Sequence, residues 1–178
     1  MDWSEKHGKR QTKFCKESLV IKTSRVFPSD TNNHNTLFGG RLMTYIDDTA
    51  SISASRHCRT EIVTASTDSV DFLKPIKNDH SVCLESYVAS TGRSSMEIFV
   101  KIIAENLKTG ERYLAATSFL TFVALDADGK TVEVPLVKPE TEEQKRIHAG
   151  AEARSIARKI RLKENQSLAE SLSTDIPW

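Results

Sequence analysis

The stretch NNHNTLFGGRLMTYIDDTASI, residues 32–52, decides how this chain folds, because loop chemistry gives way there to a helical pattern. Its first residues favour turns, and a double glycine follows. From there apolar residues recur every fourth position: Leu42, Ile46, Ala50 and Ala54. At about 100° per residue they form one stripe, so the pattern predicts an amphipathic helix that begins at Gly39.

Two adjacent acids, Asp47 and Asp48, lie on this predicted helix. Asp47 falls on the flank of the apolar stripe, whereas Asp48 points about 100° further round. A flank position removes part of the solvent from a carboxylate and favours a role as a general base. Tyr45 and Ile52 make a second apolar patch, so we expect the helix to be covered on more than one side.

After the helix the period of the apolar residues changes to two, which predicts strands. With an earlier segment rich in β-branched residues, the predicted strands are 17–27, 61–73, 81–90, 95–107 and 112–126. Short links between long strands favour antiparallel pairing of the last four as a meander. The sequence therefore predicts an α+β fold, in which one helix packs on a five-stranded antiparallel sheet.

The predicted strand SMEIFVKIIAENL, residues 95–107, is apolar on both of its alternating faces. Such a strand suits a sheet that is covered on both sides. One helix covers only one face, so we expect further copies of the chain to pair with a sheet edge and to cover the other face.

The charge pattern divides the chain into three parts. Residues 1–15 are charged and predict a flexible N-terminus, residues 16–138 hold the sheet and its helix, and residues 139–178 form a charged helical extension. In the extension, Thr141 stands three residues before Gln144, which is the spacing of a capping box. The following helix formers have little apolar face, which suits a solvated helix or one that contacts a phosphate or a partner.

The composition excludes several classes of protein. The 178 residues are 38% hydrophobic and 28% charged, as in soluble globular proteins, and the net charge of +1 gives no general attraction for nucleic acid. The first residues lack the apolar core of a signal peptide, and no apolar run approaches the roughly 20 residues of a membrane helix. Three widely spaced cysteines indicate free thiols in the cytoplasm, and no cluster has metal-ligand spacing.

Four segments together resemble the cytosolic acyl-CoA thioester hydrolases of the hotdog-fold superfamily. They are TNNHNTLFGGRLMTYIDD, VTASTDSVDFLKPI, TGRSSMEIFVKI and SFLTFVALDADGK. The resemblance covers roughly residues 17–145. It implies a hotdog thioesterase domain over 16–138, hydrolysis of acyl-CoA to a carboxylic acid and coenzyme A without a cofactor, and active sites between the protomers of a homodimer. In relatives such dimers often assemble into hexamers, as trimers of dimers.

The resemblance also implies a set of site residues. The family's catalytic acid matches Asp47 rather than Asp48, its loop asparagine matches Asn32, and its strand threonine matches Thr64, which we expect from the opposite chain to Asp47. The turn TGRSS matches a segment that contacts the phosphates of coenzyme A. The substrate-binding residues expected on this basis are Gly39, Phe72, Lys74, Pro75, Gly92, Arg93, Ser94 and Ser95. Asn35 departs from the glycine of many relatives, although asparagine tolerates a left-handed backbone.

The chemistry of thioester hydrolysis suits these residues. A thiolate leaves readily, because a thiol has a pKa of about 8.5, so the site needs an activated water or a carboxylate nucleophile and a donor for the oxyanion. Asp47 suits the first role, and the amide of Gly40 at the positively polarised helix start suits the second. Asn32 and Thr64 can orient the water. Asp68 lies four residues beyond Thr64 on the same expected strand face and is a second candidate carboxylate.

Two other functions are open at this point. A non-catalytic acyl-CoA sensor would keep the phosphate-binding turn but would have no use for Asp47. A hotdog dehydratase or hydratase usually needs a histidine paired with an acid, and no histidine lies on the predicted helix before His57. Cys58 follows His57 directly, but adjacent residues on a helix point about 100° apart and make a poor thiol–imidazole pair.

Overall fold

The computed structural model describes residues 10–175, and it confirms the predicted α+β fold class. The strands are β1 (Thr12–Phe14), β2 (Val20–Arg25), β3 (Glu61–Phe72), β4 (His80–Thr91), β5 (Ser95–Asn106), β6 (Arg112–Leu125) and β7 (Leu136–Lys138). The helices are α1 (Gly39–Cys58), α2 (Glu142–Ala149) and α3 (Ala151–Ser171). None of the helices described between residues 10 and 175 is long and apolar enough to cross a membrane.

The five-stranded sheet has the order β2–β4–β5–β6–β3, and all neighbouring strands in it are antiparallel. Only β4, β5 and β6 form a meander, so the prediction of four consecutively paired strands is wrong for β3. Residues 73–79 instead carry the chain from β3, at one edge, back across the sheet to β4. On the way the Leu37 amide donates to the Ile76 carbonyl at 2.7 Å. The crossing is therefore tied to the loop that precedes α1.

Helix α1 packs on the inner face of this sheet, and its predicted stripe is buried. The four stripe residues are Leu42, Ile46, Ala50 and Ala54. They share one apolar core with fully buried residues of β4 and β5, which are Val88, Ile98, Val100 and Ile102. The second patch differs from the expectation, because Ile52 is 40% exposed. One protomer therefore leaves the Ile52 side of α1 exposed.

The N-terminal segment differs from the prediction of a flexible region over residues 1–15. Residues 1–9 lie outside the described part of the chain. The next residues form β1, which pairs in parallel with β7, and Cys15 is fully buried. The Leu136 amide also donates to the Gln11 carbonyl at 2.8 Å. A three-residue strand carries too little periodicity to be predicted, and its partner lies more than 100 residues away in the sequence.

The outer face of the sheet is covered by the C-terminal extension of the same chain. The predicted capping box is present, since the Gln144 amide donates to Thr141 Oγ1 at 3.2 Å and starts α2. The His148 Nδ1 atom lies 2.8 Å from the Ala89 carbonyl of β4. Beneath the extension, Glu97 and Phe99 are buried. The extension of the same chain therefore supplies part of the cover that was expected from further copies, while Leu114 stays 41% exposed. Of the two expectations for this helix, contact with a partner surface rather than full solvation holds at its start.

Candidate active site

Asp47 and Thr64 meet at the β3 edge of the sheet. Thr64 pairs with the buried Phe122 of β6, so its side chain points to the inner face, where α1 lies. Its hydroxyl donates to Asp47 Oδ1 at 3.1 Å. Asp48 instead forms an ion pair with Lys22 of β2. Of the two adjacent acids, Asp47 is therefore the one that a strand hydroxyl orients.

Two expectations about this pair are corrected. Asp47 and Thr64 belong to the same protomer, because α1 packs directly beside β3, whereas the sequence placed them in different chains. Asp47 is also exposed in the single chain. The partial desolvation expected from its flank position therefore does not occur within one protomer, since β3 is the last strand of the sheet and nothing described lies beyond it.

The start of α1 presents free backbone donors. No side chain caps this helix, and its first backbone bond runs from the Leu42 amide to the Phe38 carbonyl at 3.1 Å. The amides of the first three helical residues therefore have no acceptor within the helix and carry partial positive charge. A Cβ atom on Gly40 would lie 2.6 Å from the Phe38 ring, whereas one on Gly39 would make an ordinary contact with Phe72. A larger residue at position 40 would therefore require the exposed Phe38 ring to move, whereas one at position 39 would not.

A cavity of about 340 Å³ lies beside this helix start. Five of the predicted residues line it: Asn32, Gly39, Phe72, Lys74 and Pro75. Asn32 Oδ1 accepts from the amides of His34 and Thr36 at 2.9 and 3.3 Å, and Asn32 Nδ2 donates to Thr36 Oγ1 at 3.0 Å. Asn32 therefore shapes the loop and keeps one amide hydrogen for another partner. Asn35 adopts the left-handed conformation with φ of 57°, so asparagine does replace glycine there without a change of backbone.

The predicted phosphate turn borders a second and larger cavity, of about 810 Å³, between β7 and the C-terminal helices. Gly92 and Arg93 line it, together with Arg10 and with Lys159 of α3. The Arg10 guanidinium donates to the carbonyls of Val134 and Gly92 at 3.0 and 2.9 Å. Sequence reasoning missed Arg10 and Lys159, because both lie in the predicted terminal segments. The cavity carries the positive charges of Arg10, Arg93 and Lys159, but Glu152 also lines it and Glu133 lies 3.6 Å from Arg10, so its charge is mixed.

Ser94 and Ser95 hold the turn itself. The Gly92 amide donates to the Ser95 carbonyl at 2.8 Å, and the Ala124 amide of β6 donates to the Ser94 carbonyl at 2.9 Å. Both serines are half-buried. Their main-chain atoms therefore fix the position of the turn and of the exposed Arg93.

One protomer does not bring all of the predicted residues together. Gly40 and Asp47 are seven residues apart on a straight helix, so about 10 Å of helix axis separates them at 1.5 Å per residue. An acyl carbonyl that accepts from the Gly40 amide, at the usual distance of about 3 Å, is therefore too far from the Asp47 of the same chain. Within one protomer the predicted residues therefore form two separate groups, Asp47 with Thr64 and Gly40 with Asn32.

Comparison with known proteins assigns the family. The model of the thioesterase superfamily matches residues 34–111. Over 168 residues the chain is 68% identical to the Bacillus subtilis protein named "Uncharacterized acyl-CoA thioester hydrolase YkhA", covering 94% of this chain and 98% of that one. The chain belongs to the acyl-CoA thioester hydrolase family.

Two solved structures of this family superpose closely on the chain. One is the acyl-CoA hydrolase from Staphylococcus aureus in complex with butyryl coenzyme A, coenzyme A and coenzyme A disulfide, with 45% identity, a TM-score of 0.87, and coverage of 90% of this chain and 98% of that one. The other is a hexameric acyl-CoA thioesterase with 45% identity, a TM-score of 0.83, and coverage of 85% and 97%. The predictions of the hotdog fold, of the family and of thioester hydrolysis as the reaction class are confirmed.

Asp68 lies apart from Asp47 and Thr64, on the other face of the sheet. The ladder between β3 and β6 has register shifts between Thr64 and Ser66 and between Thr67 and Ser69. Each shift is a bulge that interrupts the alternation of side chains, so Asp68 faces the outer side of the sheet, opposite to Thr64. Burial raises the pKa of Asp68, but hydrogen bonds from Ser66, Thr121 and Arg161 and the charge of Arg158 outweigh it, so the pKa lies below its ordinary value. The prediction that Asp68 shares a strand face with Thr64 is therefore wrong.

The remaining candidates from the sequence are also accounted for. His57 is buried with Nε2 2.9 Å from the Pro135 carbonyl, and burial lowers its pKa, so it faces neither Asp47 nor Cys58 as a catalytic partner. Burial raises the pKa of Cys15 to about 12, which keeps this thiol protonated. Among residues 10–175, no group of three or more histidine, cysteine, aspartate or glutamate side chains is arranged to hold a metal ion.

Proposed function

We propose that the protein hydrolyses acyl-CoA to a carboxylic acid and coenzyme A, with Asp47 as general base or nucleophile and with Thr64 as the residue that orients it. The observation that carries this proposal is the 3.1 Å hydrogen bond from Thr64 to Asp47 at the open edge of the sheet. A carboxylate with one oxygen fixed by a hydroxyl can present the other to a water or to a thioester carbon.

In the proposed reaction, a carboxylate oxygen of Asp47 takes a proton from a water while the water oxygen attacks the thioester carbonyl carbon. The carbonyl oxygen becomes an oxyanion, and one backbone donor aimed at it is typically worth about 2.7–4 kcal/mol. The C–S bond then breaks and the thiolate of coenzyme A leaves. In the alternative route, a carboxylate oxygen of Asp47 attacks the thioester carbonyl carbon, the thiolate leaves, and water hydrolyses the resulting mixed anhydride. The same groups surround the substrate in both routes. Because the thiolate leaves readily, neither route requires a metal or a cofactor.

The oxyanion donor in this proposal is the Gly40 amide of a second copy of the chain. Within one chain Gly40 and Asp47 are about 10 Å apart along α1. Among residues 10–175 only β6 pairs with β3, and two apolar side chains of β3, Val63 and Phe72, are exposed. Antiparallel pairing of two β3 edges places the start of one strand, with Thr64, beside the end of the other, where Phe72 lies against Gly39. Each Asp47 then faces the helix start and the Asn32 loop of the other copy.

Coenzyme A is proposed to extend from this shared site along Phe72, Lys74 and Pro75 towards the turn at Gly92–Ser95. Antiparallel pairing of the two β3 strands brings Phe72, Lys74 and Pro75 of one chain near the start of β3 in the other chain. The turn at Gly92–Ser95 of that other chain lies at the same end of its sheet. Ser95 and Val63 both pair with Val123, which places the turn two strands from β3. Arg93 would then contact a phosphate as a charged and planar donor.

A dimer is the minimum active unit in this proposal. We further propose a hexamer made of three dimers, which the similarity to a hexameric acyl-CoA thioesterase supports. The cytoplasmic location stays a prediction from the sequence, consistent with the free thiols of Cys15, Cys58 and Cys83.

The direct test is the release of free thiol from a series of acyl-CoA substrates by the purified protein. Asp47→Asn keeps the shape of the side chain and removes its charge, and we expect kcat to fall by about 10²–10⁴-fold. Asp48→Asn is the matched control, because its carboxylate pairs with Lys22, and it should keep kcat within about twofold. Equal losses of kcat in the two variants would contradict the proposed role of Asp47.

Mixed oligomers test the shared site. If Asp47 and Thr64 act from one chain and Asn32 from the other, a dimer of one Asp47→Asn chain and one Asn32→Ala chain contains one intact site and regains activity. A dimer of one Asp47→Asn chain and one Thr64→Val chain contains none. Rescue in the second mixture, or in neither, would contradict this arrangement. A fully active monomer, measured by light scattering alongside activity, would also contradict it.

A further inference from the structure

Three arginines of α3 face the sheet along one side of the helix. Arg154, Arg158 and Arg161 follow one another at intervals of four and three residues, which places them on one helical face. Arg154 binds both carboxylate oxygens of Glu97 on β5, at distances between 2.7 and 3.2 Å. Arg158 contacts Asp68 Oδ2 at 3.2 Å and Glu97 Oε2 at 3.6 Å. The side chains of Asp68 and Glu97 are only 12% and 4% exposed, so both acids depend on these arginines.

Arg161 makes a different kind of contact, because it also binds the backbone of β3. Asp68 is the extra residue of the second bulge and has no partner in the ladder with β6. Its carbonyl accepts from Arg161 Nη1 at 3.1 Å, and its carboxylate accepts from Arg161 Nη2. Thr121 of β6 donates to Asp68 Oδ2 at 2.7 Å. Arg161 thus donates the hydrogen bond that the Asp68 carbonyl does not receive from β6.

The bulged segment connects this contact with the proposed catalytic pair. Thr64 stands immediately before the first bulge, at Ala65, and Asp68 forms the second. Neither Ala65 nor Asp68 has a partner in the ladder with β6, so this ladder is interrupted on either side of Ser66 and Thr67. A strand interrupted in this way is more easily displaced than a regular one, also when its other edge pairs with a second copy, because the extra residue of a bulge contributes no ladder bond. The helix that holds Asp68 therefore limits where Thr64 can lie relative to α1.

We propose that Arg161, Arg158 and Asp68 are positioning residues, through which α3 on the outer face holds Thr64 against Asp47 on the inner face. The inference rests on the proposed function, since it concerns the residue that orients Asp47. The 3.1 Å bond between Thr64 and Asp47 is already at the long end for a hydroxyl donor. A displacement of about 1 Å at a catalytic group can cost on the order of 10²-fold in rate. The C-terminal helix is thus part of the support of the active site.

The test compares Arg161→Gln with Arg154→Gln. Both substitutions remove one guanidinium of α3 from a buried acid, but of these two arginines only Arg161 binds β3. We expect Arg161→Gln to lower kcat by about tenfold with KM within about twofold. Arg154→Gln should lower the stability of the protein and leave kcat within about twofold. Arg161→Lys retains the charge without the two-pronged contact and should recover only part of kcat. An unchanged kcat in Arg161→Gln, or an equal loss in Arg154→Gln, would overturn the inference.

A double-mutant cycle with Thr64→Val separates positioning from general damage. If Arg161 acts through Thr64, its substitution costs kcat in the parent and almost nothing further in the Thr64→Val background. Equal losses in the two backgrounds would show that Arg161 acts by another route. Thr64→Val with an unchanged kcat would overturn the proposed role of Thr64 and this inference together, whereas Asp47→Asn with an unchanged kcat would overturn the proposed function itself. Hydrogen exchange of the amides of residues 63–69 should be faster in Arg161→Gln and unaltered in Arg154→Gln.

Discussion

Helices α1 and α3 have 20 and 21 residues and pack on opposite faces of the same sheet, but they are held by different interactions. Helix α1 buries an apolar stripe that includes Leu42 and Ile46. In α3 only Ala151 at its first position is buried, and its contacts with the sheet are made by arginines. The guanidinium of Arg154 also lies 4.1 Å from the centre of the Phe119 ring.

The two helices therefore contribute in different ways: α1 mainly stabilises the fold, and α3 mainly fixes the position of the residues that it contacts. Burial of apolar area is non-directional and contributes about 25 cal/mol per Å², so α1 provides much of the free energy of folding. Buried ion pairs repay little more than the cost of their desolvation, but they have strict geometry. The ion pairs of α3 are therefore better suited to fix its position on β3 and β5 than to add to the total stability. The predictions below test this contrast.

The largest effect is expected from the core of α1. Ile46 is 1% exposed, so Ile46→Ala should lower the free energy of unfolding by about 2–5 kcal/mol, as measured by urea denaturation. The matched control on the other helix is Ile160→Ala, because Ile160 is 55% exposed, and it should change the stability by less than about 0.5 kcal/mol. Similar losses in both would show that α3 is buried in the assembly more extensively than in the single chain.

A smaller loss is expected from the acid that α3 holds on β5. Glu97→Gln removes the charge that Arg154 binds, and we expect the free energy of unfolding to fall by about 1–3 kcal/mol. The effect should be less than that of Ile46→Ala, because the side chain of Arg154 is 27% exposed and water can replace part of the pair. A loss larger than that of Ile46→Ala would contradict the contrast between the two helices.

The contribution of Asp68 should depend on pH. The pKa of Asp68 is lowered in the folded protein, so its contribution to stability is present above the ordinary carboxyl value. That contribution is lost as the pH falls through the folded-state pKa, that is, below about pH 4. The difference in unfolding free energy between the parent and Asp68→Asn should be constant from about pH 5 to pH 8 and should shrink below about pH 4. If this difference in unfolding free energy instead grew on acidification, it would contradict a lowered pKa of Asp68.

The smallest effect is expected at the surface of α2. Glu142 and Lys145 form an exposed ion pair at 2.8 Å, three residues apart on the helix. Such pairs are screened by water and salt, so Glu142→Gln should leave the midpoint of thermal unfolding unchanged within error. A measurable drop that disappears at high salt would show that exposed charges of the extension contribute more than we expect.

The sequence alone predicted the elements whose signals are local. The fourfold spacing of the apolar stripe fixes α1, and the twofold spacing in residues 61–126 predicts four strands that the structure reproduces within two residues. Thr141 and Gln144 predict the start of α2 for the same reason, since a capping box involves only neighbouring residues. The family followed from motifs in their order along the chain.

Only the tertiary structure decided which distant residues meet. Periodicity places Asp68 on the same strand face as Thr64, but the bulge at Ala65 turns it to the opposite face. A bulge depends on pairing with β6 rather than on local sequence. Arg161 lies 93 residues from Asp68, and the sequence left open whether its helix is solvated or contacts a phosphate or a partner. Asp47 and Thr64 meet within one chain because β3 crosses to the far edge of the sheet, beside α1. Contacts of this kind are set by strand order, which local propensity does not encode.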